Sequence, residues 1–233
     1  MIASNEKDML SKIISRWLIP DELYIIASNI QTGLFSESPE HIDNLLPRDG
    51  VVEIYFSFFN RADSDRLFQK LLATIDWKQD RMKIYGREVK LPRLTAWYGE
   101  NNADYSYSGI DMKSKPWTKE LLEIKNKVES HSKINFTHVL LNRYRSGNDS
   151  VSWHRDNEKV LRVNPVIASV SFGAARVFKF RHVNNHNVIR SVELHHGTYV
   201  LMTAETQHKW EHAIPKSKSV TGERISLTFR VLF

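Results

Sequence analysis

The segment from residue 134 to the C-terminus limits the fold of this chain more than any other feature. Apolar and polar residues alternate there with a period of two, in short runs separated by turn-forming residues. This period places successive side chains on opposite faces of a β-strand. Short antiparallel strands in such a series are typical of a jelly roll. We predict eight strands, at 136–144, 151–156, 166–173, 176–182, 187–194, 198–204, 209–214 and 224–232.

Two helices and a hairpin are predicted before these strands. Asn60 is a suitable N-cap for a helix with apolar residues at 3.6-residue spacing. A second helix is predicted to begin near Ser114, with Pro116 in its first turn. Residues 82–97 alternate around Gly86-Arg87, which predicts a hairpin. The fold class is therefore α+β, with two helices that buttress a β-sandwich of about eight strands.

The chain is predicted to contain one main domain with an N-terminal extension. Residues 1–30 carry apolar residues at helical spacing, and Pro20 ends that helix. The helix either packs on the main domain or docks a partner. Residues 31–50 have the composition of a loop. We divide the chain into an extension and linker (1–44), a segment with the helices and hairpin (45–134) and the strand-rich core (135–233), with 45–233 forming one domain.

Composition excludes several classes of protein. The chain contains no cysteine, which excludes disulfides, thiolate nucleophiles and Fe–S clusters. No run approaches the roughly 18 apolar residues of a membrane span, and charges interrupt any signal-peptide pattern near the N-terminus. We therefore expect a protein that is neither membrane-bound nor secreted. The absence of a G-x-S-x-G elbow argues against a hydrolase, and the net charge of +6 is compatible with a nucleic-acid partner.

The sequence Trp153-His154-Arg155-Asp156 is the strongest local signal for a metal site. Residues i and i+2 of a strand point the same way, so His154 and Asp156 present an imidazole and a carboxylate together. We choose His212 as the third ligand, because it lies on a predicted strand, whereas turns or surface positions explain His182, His186, His195, His196 and His208 better. Two histidines and a carboxylate are the ligands of non-haem Fe(II) oxygenases, and zinc is the competing metal.

The last predicted strand, RISLTFR, has one polar and one apolar face. Arg224, Ser226, Thr228 and Arg230 share the polar face. In HVLLNRYR, Asn142 and Tyr144 likewise share one side of a strand. Two cations beside an amide and a phenol suit a dicarboxylate cosubstrate. A sheet with one solvated face is the alternative.

Four segments carry a resemblance to a known family. They are VLLNRYRSGNDSVSWHRDNE, ASVSFGAARVFKFRH, HHGTYVLMTAETQHKWEHAIPK and RISLTFR. In order and spacing they resemble the AlkB family of Fe(II)- and 2-oxoglutarate-dependent nucleic-acid dealkylases, over about residues 45–233, and most closely its DNA-repair branch with human AlkB homologues two and three. Ala204 stands where a glycine is often found in this family. The resemblance implies a double-stranded β-helix core, with iron held by His154, Asp156 and His212 and with 2-oxoglutarate held by Asn142, Tyr144, Arg224 and Arg230, near Thr228.

The resemblance also implies contacts to nucleic acid. LPRLTAWYGENNADYSYSG resembles the nucleotide-recognition lid of the family, in which Tyr107 would stack on a flipped base opposite His154 and Tyr105 would lie near the backbone. Asn157 and Glu158 would contact the base edge, although several relatives have an acidic residue in place of Asn157. The hairpin residues Ile84, Tyr85 and Gly86 stand where one relative inserts an apolar finger into duplex DNA, flanked here by Arg81, Lys83, Arg87, Lys90 and Arg93. A lid closed on the core and an ordinary exposed hairpin are the alternatives.

The function implied by the resemblance is oxidative demethylation of 1-methyladenine and 3-methylcytosine in DNA. The reaction would use Fe(II), 2-oxoglutarate and O₂ and release formaldehyde, succinate and CO₂. An RNA or protein demethylase and a catalytically inactive nucleic-acid binder are the alternatives, and the complete ligand set argues against inactivity. We expect an intracellular monomer, cytoplasmic if the source is bacterial and nuclear if it is eukaryotic.

Overall fold

The computed structural model describes residues 40–84, 87–100, 105–107, 110–161 and 163–233. They belong to a unit that spans Pro39–Phe233. The predicted N-terminal helix lies outside the described residues. The helices are α1 (Arg61–Thr74), α2 (Lys119–Ser132) and α3 (Thr206–Lys209). The strands are β1 (His41–Ile42), β2 (Val51–Tyr55), β3 (Arg81–Ile84), β4 (Arg87–Lys90), β5 (Leu94–Gly99), β6 (Tyr105–Tyr107), β7 (Ile110–Met112), β8 (His138–Tyr144), β9 (Val151–His154), β10 (Ile167–Gly173), β11 (Arg176–His182), β12 (Asn185–Leu194), β13 (Thr198–Thr203), β14 (Trp210–Ile214) and β15 (Arg224–Arg230).

The strands form a major and a minor antiparallel sheet. The major sheet has seven strands in the order β1-β2-β13-β10-β15-β8-β5, and the minor sheet has the order β12-β11-β14-β9. All eight strands predicted after residue 134 are present, which confirms the jelly-roll prediction. Three strands from the preceding segment extend the major sheet, because β2 pairs with β13 and β5 pairs with β8. These additions cover edges that the eight strands would otherwise expose. The division of the chain at residues 44 and 134 stays a prediction.

The two faces of the major sheet pack against different layers. On one face, Leu67 and Leu71 of α1 and Leu121 of α2 join a fully buried cluster with Ile225 and Phe229 of β15. On the other face, a second apolar cluster joins the sheet to the minor sheet. Strand β15 therefore alternates between the helix layer and the space between the sheets, as its sequence predicts.

The helix predictions are half right. Asn60 caps α1, since its side chain accepts a hydrogen bond from Asp63 N at 2.8 Å. Helix α2 begins at Lys119 with Thr118 as its N-cap, so the predicted start near Ser114 is wrong. The reason is that Lys115 pairs with the edge of β5, where its N–H donates to Trp97 O at 3.1 Å and its carbonyl accepts from Gly99 N at 2.9 Å. Those bonds hold Lys115 in extended backbone.

Strand β9 is shorter than the predicted strand 151–156. It ends at His154, and Asp156 follows in irregular backbone. The prediction that His154 and Asp156 share one strand face is therefore wrong. The N–H of Asp156 donates to the side chain of Gln207 at 3.0 Å rather than to a neighbouring strand.

The predicted hairpin is present as β3 and β4, with Ile84 paired with Arg87. Its tip residues Tyr85 and Gly86 lie outside the described residues. A second hairpin, β6 and β7, pairs Tyr105 with Met112 and was not predicted. No helix in the described part of the chain is long and apolar enough to cross a bilayer.

We expect Phe229→Ala to lower the free energy of unfolding by about 3–5 kcal/mol, because Phe229 is fully buried between β15 and the helices. Urea denaturation monitored by circular dichroism measures the change. Phe233→Ala is the matched control, since Phe233 is 65% exposed, and we expect it to change the free energy by less than about 0.5 kcal/mol. Equal losses in the two variants would contradict the assignment of Phe229 to the core.

Candidate active site and metal centre

A pocket of about 530 Å³, counted out to its open mouth, lies between the two sheets. The structure brings eight of the predicted site residues together in its lining. They are Asn142, Tyr144, His154, Asp156, His212, Arg224, Thr228 and Arg230.

The three predicted metal ligands converge in this pocket. His154 on β9 pairs directly with His212 on β14, so both rings lie on the same face of the minor sheet, 4.3 Å apart between centroids. One ligand atom from each of His154, Asp156 and His212 lies within 4.8 Å of the other two. Among the described residues, no other group of three such side chains has this arrangement.

Both histidines have the protonation state of a metal ligand. Burial is the main cause that lowers the pKa of His212, to about 3, and the neighbouring His154 lowers it further. Burial also lowers the pKa of His154. The Nδ1 atom of His154 lies 2.9 Å from the carbonyl of Ser152, which can only accept, so Nδ1 carries the proton and the Nε2 lone pair is available. Neutral imidazoles are the form that binds metal.

Asp156 is fully buried and ionised. Burial is the largest single effect and opposes ionisation, but the charge of Arg230, the two neighbouring histidines and the hydrogen bond from Arg230 together outweigh it, and the pKa of Asp156 is lowered. Arg230 Nη2 donates to Asp156 Oδ1 at 2.7 Å. The Oδ2 atom lies 4.0 Å from His212 Nε2. Two neutral imidazoles and a carboxylate therefore offer the donor set of a facial triad, and these residues fit an Fe(II) ion.

A buried cation lies at the other end of strand β15. Arg224 is 1% exposed, and its Nη2 donates to Ser171 Oγ at 2.7 Å. Its Nε and Nη1 atoms have no hydrogen-bond partner among the described residues. The guanidinium lies 5.1 Å from the ring centroid of Tyr144. Burial lowers the pKa of Arg224. Orphaned donors on a buried cation are costly unless a ligand satisfies them, so this end of the pocket fits a carboxylate.

Strand register explains how the remaining predicted residues meet. In the pairing of β15 with β8, Arg224 lies opposite Tyr144 and Ser226 lies opposite Asn142. Directly opposed residues of an antiparallel pair share a face. The polar faces of RISLTFR and HVLLNRY are therefore one continuous surface inside the pocket.

Arg93 is a pocket residue that the sequence prediction misplaced. We expected it among the basic residues around the hairpin, but it is 5% exposed and lines the pocket. Its Nε donates to Asn142 Oδ1 at 2.7 Å. Strand parity could have found it, since Arg93 has the parity of Thr95, which lies opposite Asn142 in the pairing of β5 with β8. Other pocket residues that the prediction missed include Ser169, Phe178 and Met202.

The histidines rejected as ligands do lie elsewhere. His186 and His195 are exposed, and His196 accepts a hydrogen bond from Gly173 N at 2.7 Å. The Nε2 atom of His208 lies 3.2 Å from Asn164 N. The expected surface position of His182 is wrong, because His182 is 4% exposed and its Nε2 lies 3.1 Å from Asp49 Oδ2.

The predicted nucleic-acid contacts are not part of the described pocket lining. Asn157 is exposed and Glu158 is partly buried, both just after the metal-ligand segment. For Ile84, Tyr105 and Tyr107 only the backbone is described, in β3 and β6, and Tyr85 and Gly86 lie outside the described residues.

Comparison with known proteins agrees with this geometry. Residues 52–230 match the family model for the 2OG-Fe(II) oxygenase superfamily. Cattle DNA oxidative demethylase ALKBH2 is 35% identical over 76% of this chain and 67% of its own length. Cattle alpha-ketoglutarate-dependent dioxygenase alkB homolog 3 is 36% identical over 81% of this chain and 73% of its own length. The family match extends over strands β2 to β15 and over the whole pocket lining.

A solved structure supports the fold. The structure of OsALKBH1 covers 80% of this chain and 98% of its own chain, with a TM-score of 0.55 and 17% identity. At that identity it bears on architecture alone, and it has the jelly-roll arrangement described above. With more than half of its length matched by one family model and relatives above 30% identity, the chain belongs to the AlkB family of the 2OG-Fe(II) oxygenase superfamily, whose members use Fe(II), 2-oxoglutarate and O₂.

Proposed function

We propose that this protein oxidatively removes methyl groups from the ring nitrogens of DNA bases, with 1-methyladenine and 3-methylcytosine as substrates. One observation carries the proposal: a His-Asp-His group shares a pocket with a buried arginine that has unsatisfied donors. This combination suits a metal beside a dicarboxylate. The relative named DNA oxidative demethylase supports DNA as the substrate.

The metal is assigned to His154, Asp156 and His212. Iron, with 2-oxoglutarate and O₂, supplies the oxidation of the methyl C–H bond, and 2-oxoglutarate ends as succinate and CO₂. The oxidised methyl group then leaves the ring nitrogen as formaldehyde. The role of the protein is to hold the ligand atoms in place. Arg230 does this for Asp156 through their hydrogen bond.

The cosubstrate is assigned to the polar faces of β15 and β8. Arg224 binds one carboxylate through the donors that have no protein partner, and Tyr144 covers its guanidinium. Asn142 and Thr228 lie between Arg224 and the metal ligands, while Arg230 supplies a second positive charge at the metal end. The pocket wall of apolar residues, such as Phe178, excludes water from this region.

The base is assigned to the mouth of the pocket. Tyr107 stacks on the flipped base opposite His154, and Tyr105 lies near the nucleic-acid backbone. Asn157 and Glu158 contact the base edge, and Ile84, Tyr85 and Gly86 enter the duplex. Genomic DNA as substrate places the enzyme in the cytoplasm of a bacterium or the nucleus of a eukaryote, where we expect it to act as a monomer.

Incubation of a 1-methyladenine oligonucleotide with the protein, Fe(II), ascorbate and 2-oxoglutarate should yield adenine and formaldehyde. Mass spectrometry of the oligonucleotide measures the product. His154→Ala, Asp156→Ala and His212→Ala should each abolish turnover, because two ligands hold the metal weakly. His186→Ala is the matched control, since His186 is exposed, and it should retain full activity. Full demethylation by His212→Ala would remove His212 from the site, and exclusive activity on the matching RNA would identify an RNA demethylase.

Arg224→Ala should raise the 2-oxoglutarate concentration needed for half-maximal rate by at least about 30-fold. Loss of one partner from a buried charge pair costs about 2–5 kcal/mol. Initial rates over a titration of 2-oxoglutarate measure the effect. Arg181→Ala is the control, because Arg181 pairs with Glu211 at 2.7 Å and does not line the pocket. Superimposable titrations for Arg224→Ala and the parent would show that the polar face of β15 does not bind the cosubstrate.

Tyr107→Ala should slow repair of both single-stranded and duplex DNA, because stacking on a flipped base contributes about 1–3 kcal/mol. The double variant of Ile84→Ala with Tyr85→Ala should slow repair of duplex DNA alone. Initial rates on one lesion in paired and unpaired oligonucleotides, at one salt concentration, separate the two effects. Equal losses on both substrates for the hairpin variant would rule out a wedge at its tip.

A further inference from the structure

The short helix α3 connects β13 to β14 and contacts the chain just after strand β9. Its residue Gln207 is fully buried. Gln207 Oε1 accepts the backbone N–H of Asp156 at 3.0 Å, and its Nε2 lies 3.4 Å from Met202 Sδ. Gln207 itself does not line the pocket. The Gln207 amide therefore hydrogen-bonds the backbone of Asp156 from outside the pocket.

This bond replaces a missing strand contact. Strand β9 pairs with β14 only as far as His154, so the N–H of Asp156 has no strand partner. Asp156 is 1% exposed, and a buried N–H without a partner is unfavourable. Gln207 satisfies this N–H and thereby fixes the backbone from which the carboxylate projects.

Helix α3 is itself fixed at both ends. The Thr206 hydroxyl accepts from Val51 N at 2.9 Å, which ties the start of the helix to β2. The carbonyl of Lys209 accepts from Val183 N at 2.8 Å, just after β11. Ala204, before the helix, has a φ of 53°, in the left-handed region that favours glycine, and this accounts for the glycine often found there in the family. The amide of Gln207 therefore has a defined position.

We propose that Gln207 is a positioning residue that holds Asp156 in the geometry needed to bind the metal. The inference rests on the proposed function, since it takes Asp156 as a metal ligand. Gln207 is outside the pocket lining, so we do not assign it as a metal ligand or as a substrate contact. Outer partners of metal ligands commonly hydrogen-bond to the side chain of the ligand. Gln207 would instead act through a hydrogen bond to the backbone of the ligand.

Co(II) binding tests the proposal without turnover, because the visible absorption of Co(II) reports its coordination by protein ligands. Gln207→Met has similar length and replaces the amide oxygen that accepts the Asp156 N–H with a thioether, which is only a weak acceptor. We expect it to weaken Co(II) binding by about 10- to 100-fold, the usual effect of losing an outer partner of a ligand. His208→Ala is the matched control. His208 lies on the same helix but contacts Asn164 N, so this variant should bind Co(II) as the parent does.

Thermal unfolding of the metal-free variants separates positioning from general stability. A folded Gln207→Met protein with the parent's Co(II) affinity would overturn the proposal. Gln207→Ala, tested in the same way, replaces Gln207→Met if that variant does not fold. A folded Gln207→Glu protein keeps an acceptor oxygen and should bind Co(II) no more weakly than the parent; weak binding by the folded variant would also contradict the proposal. Absence of Co(II) binding by the parent would instead reject the proposed ligand set.

Discussion

The buried ion pair between Arg230 and Asp156 is the interaction on which the arrangement of the site depends. Both side chains are buried, and Arg230 Nη2 lies 2.7 Å from Asp156 Oδ1. Removing one partner of such a pair leaves an uncompensated charge and costs about 3–5 kcal/mol. The bond thereby fixes β15, the last strand of the chain and a member of the major sheet, to the segment that follows β9 of the minor sheet. Because Arg230 belongs to the polar face of β15, the same bond joins the proposed metal ligands to the surface that we propose for 2-oxoglutarate.

The two faces of the major sheet have different roles: one packs in the core, and the other lines the pocket. On β15, Ile225, Leu227 and Phe229 pack in the helix-side core, and the residues between them line the pocket. Adjacent positions of one strand therefore have different consequences when they are changed. We expect a substitution at Phe229 to act on folding, whereas under the proposed function one at Arg224 acts on 2-oxoglutarate binding. Arg230 does both, since its loss would leave Asp156 buried without its counter-ion.

Local periodicity predicted most of the sheets and the polar faces, because inward and outward alternation is a property of each strand alone. It correctly predicted a polar face on each of β15 and β8, and in the structure these faces meet, with Tyr144 opposite Arg224 and Asn142 opposite Ser226. It failed where a contact is long-range. The Asp156 backbone leaves the strand because Gln207, 51 residues away, accepts its N–H. The start of α2 shifts because the edge of β5 binds Lys115. The sequence pattern around Asp156 does not reveal Gln207, and the pattern around Lys115 does not reveal the edge of β5.

The charges of the pocket explain why a dicarboxylate belongs in it. Among the described residues, the charged ones in its lining are Arg93, Asp156, Arg224 and Arg230, and with both histidines neutral these contribute a net charge of +2. A buried excess of positive charge is unfavourable, and a divalent metal increases it. A dianion such as 2-oxoglutarate brings two negative charges to donors that the protein leaves unsatisfied on Arg224. Under the proposed function, binding of the cosubstrate would therefore offset the positive charge that the metal adds, and each ligand would stabilise the binding of the other.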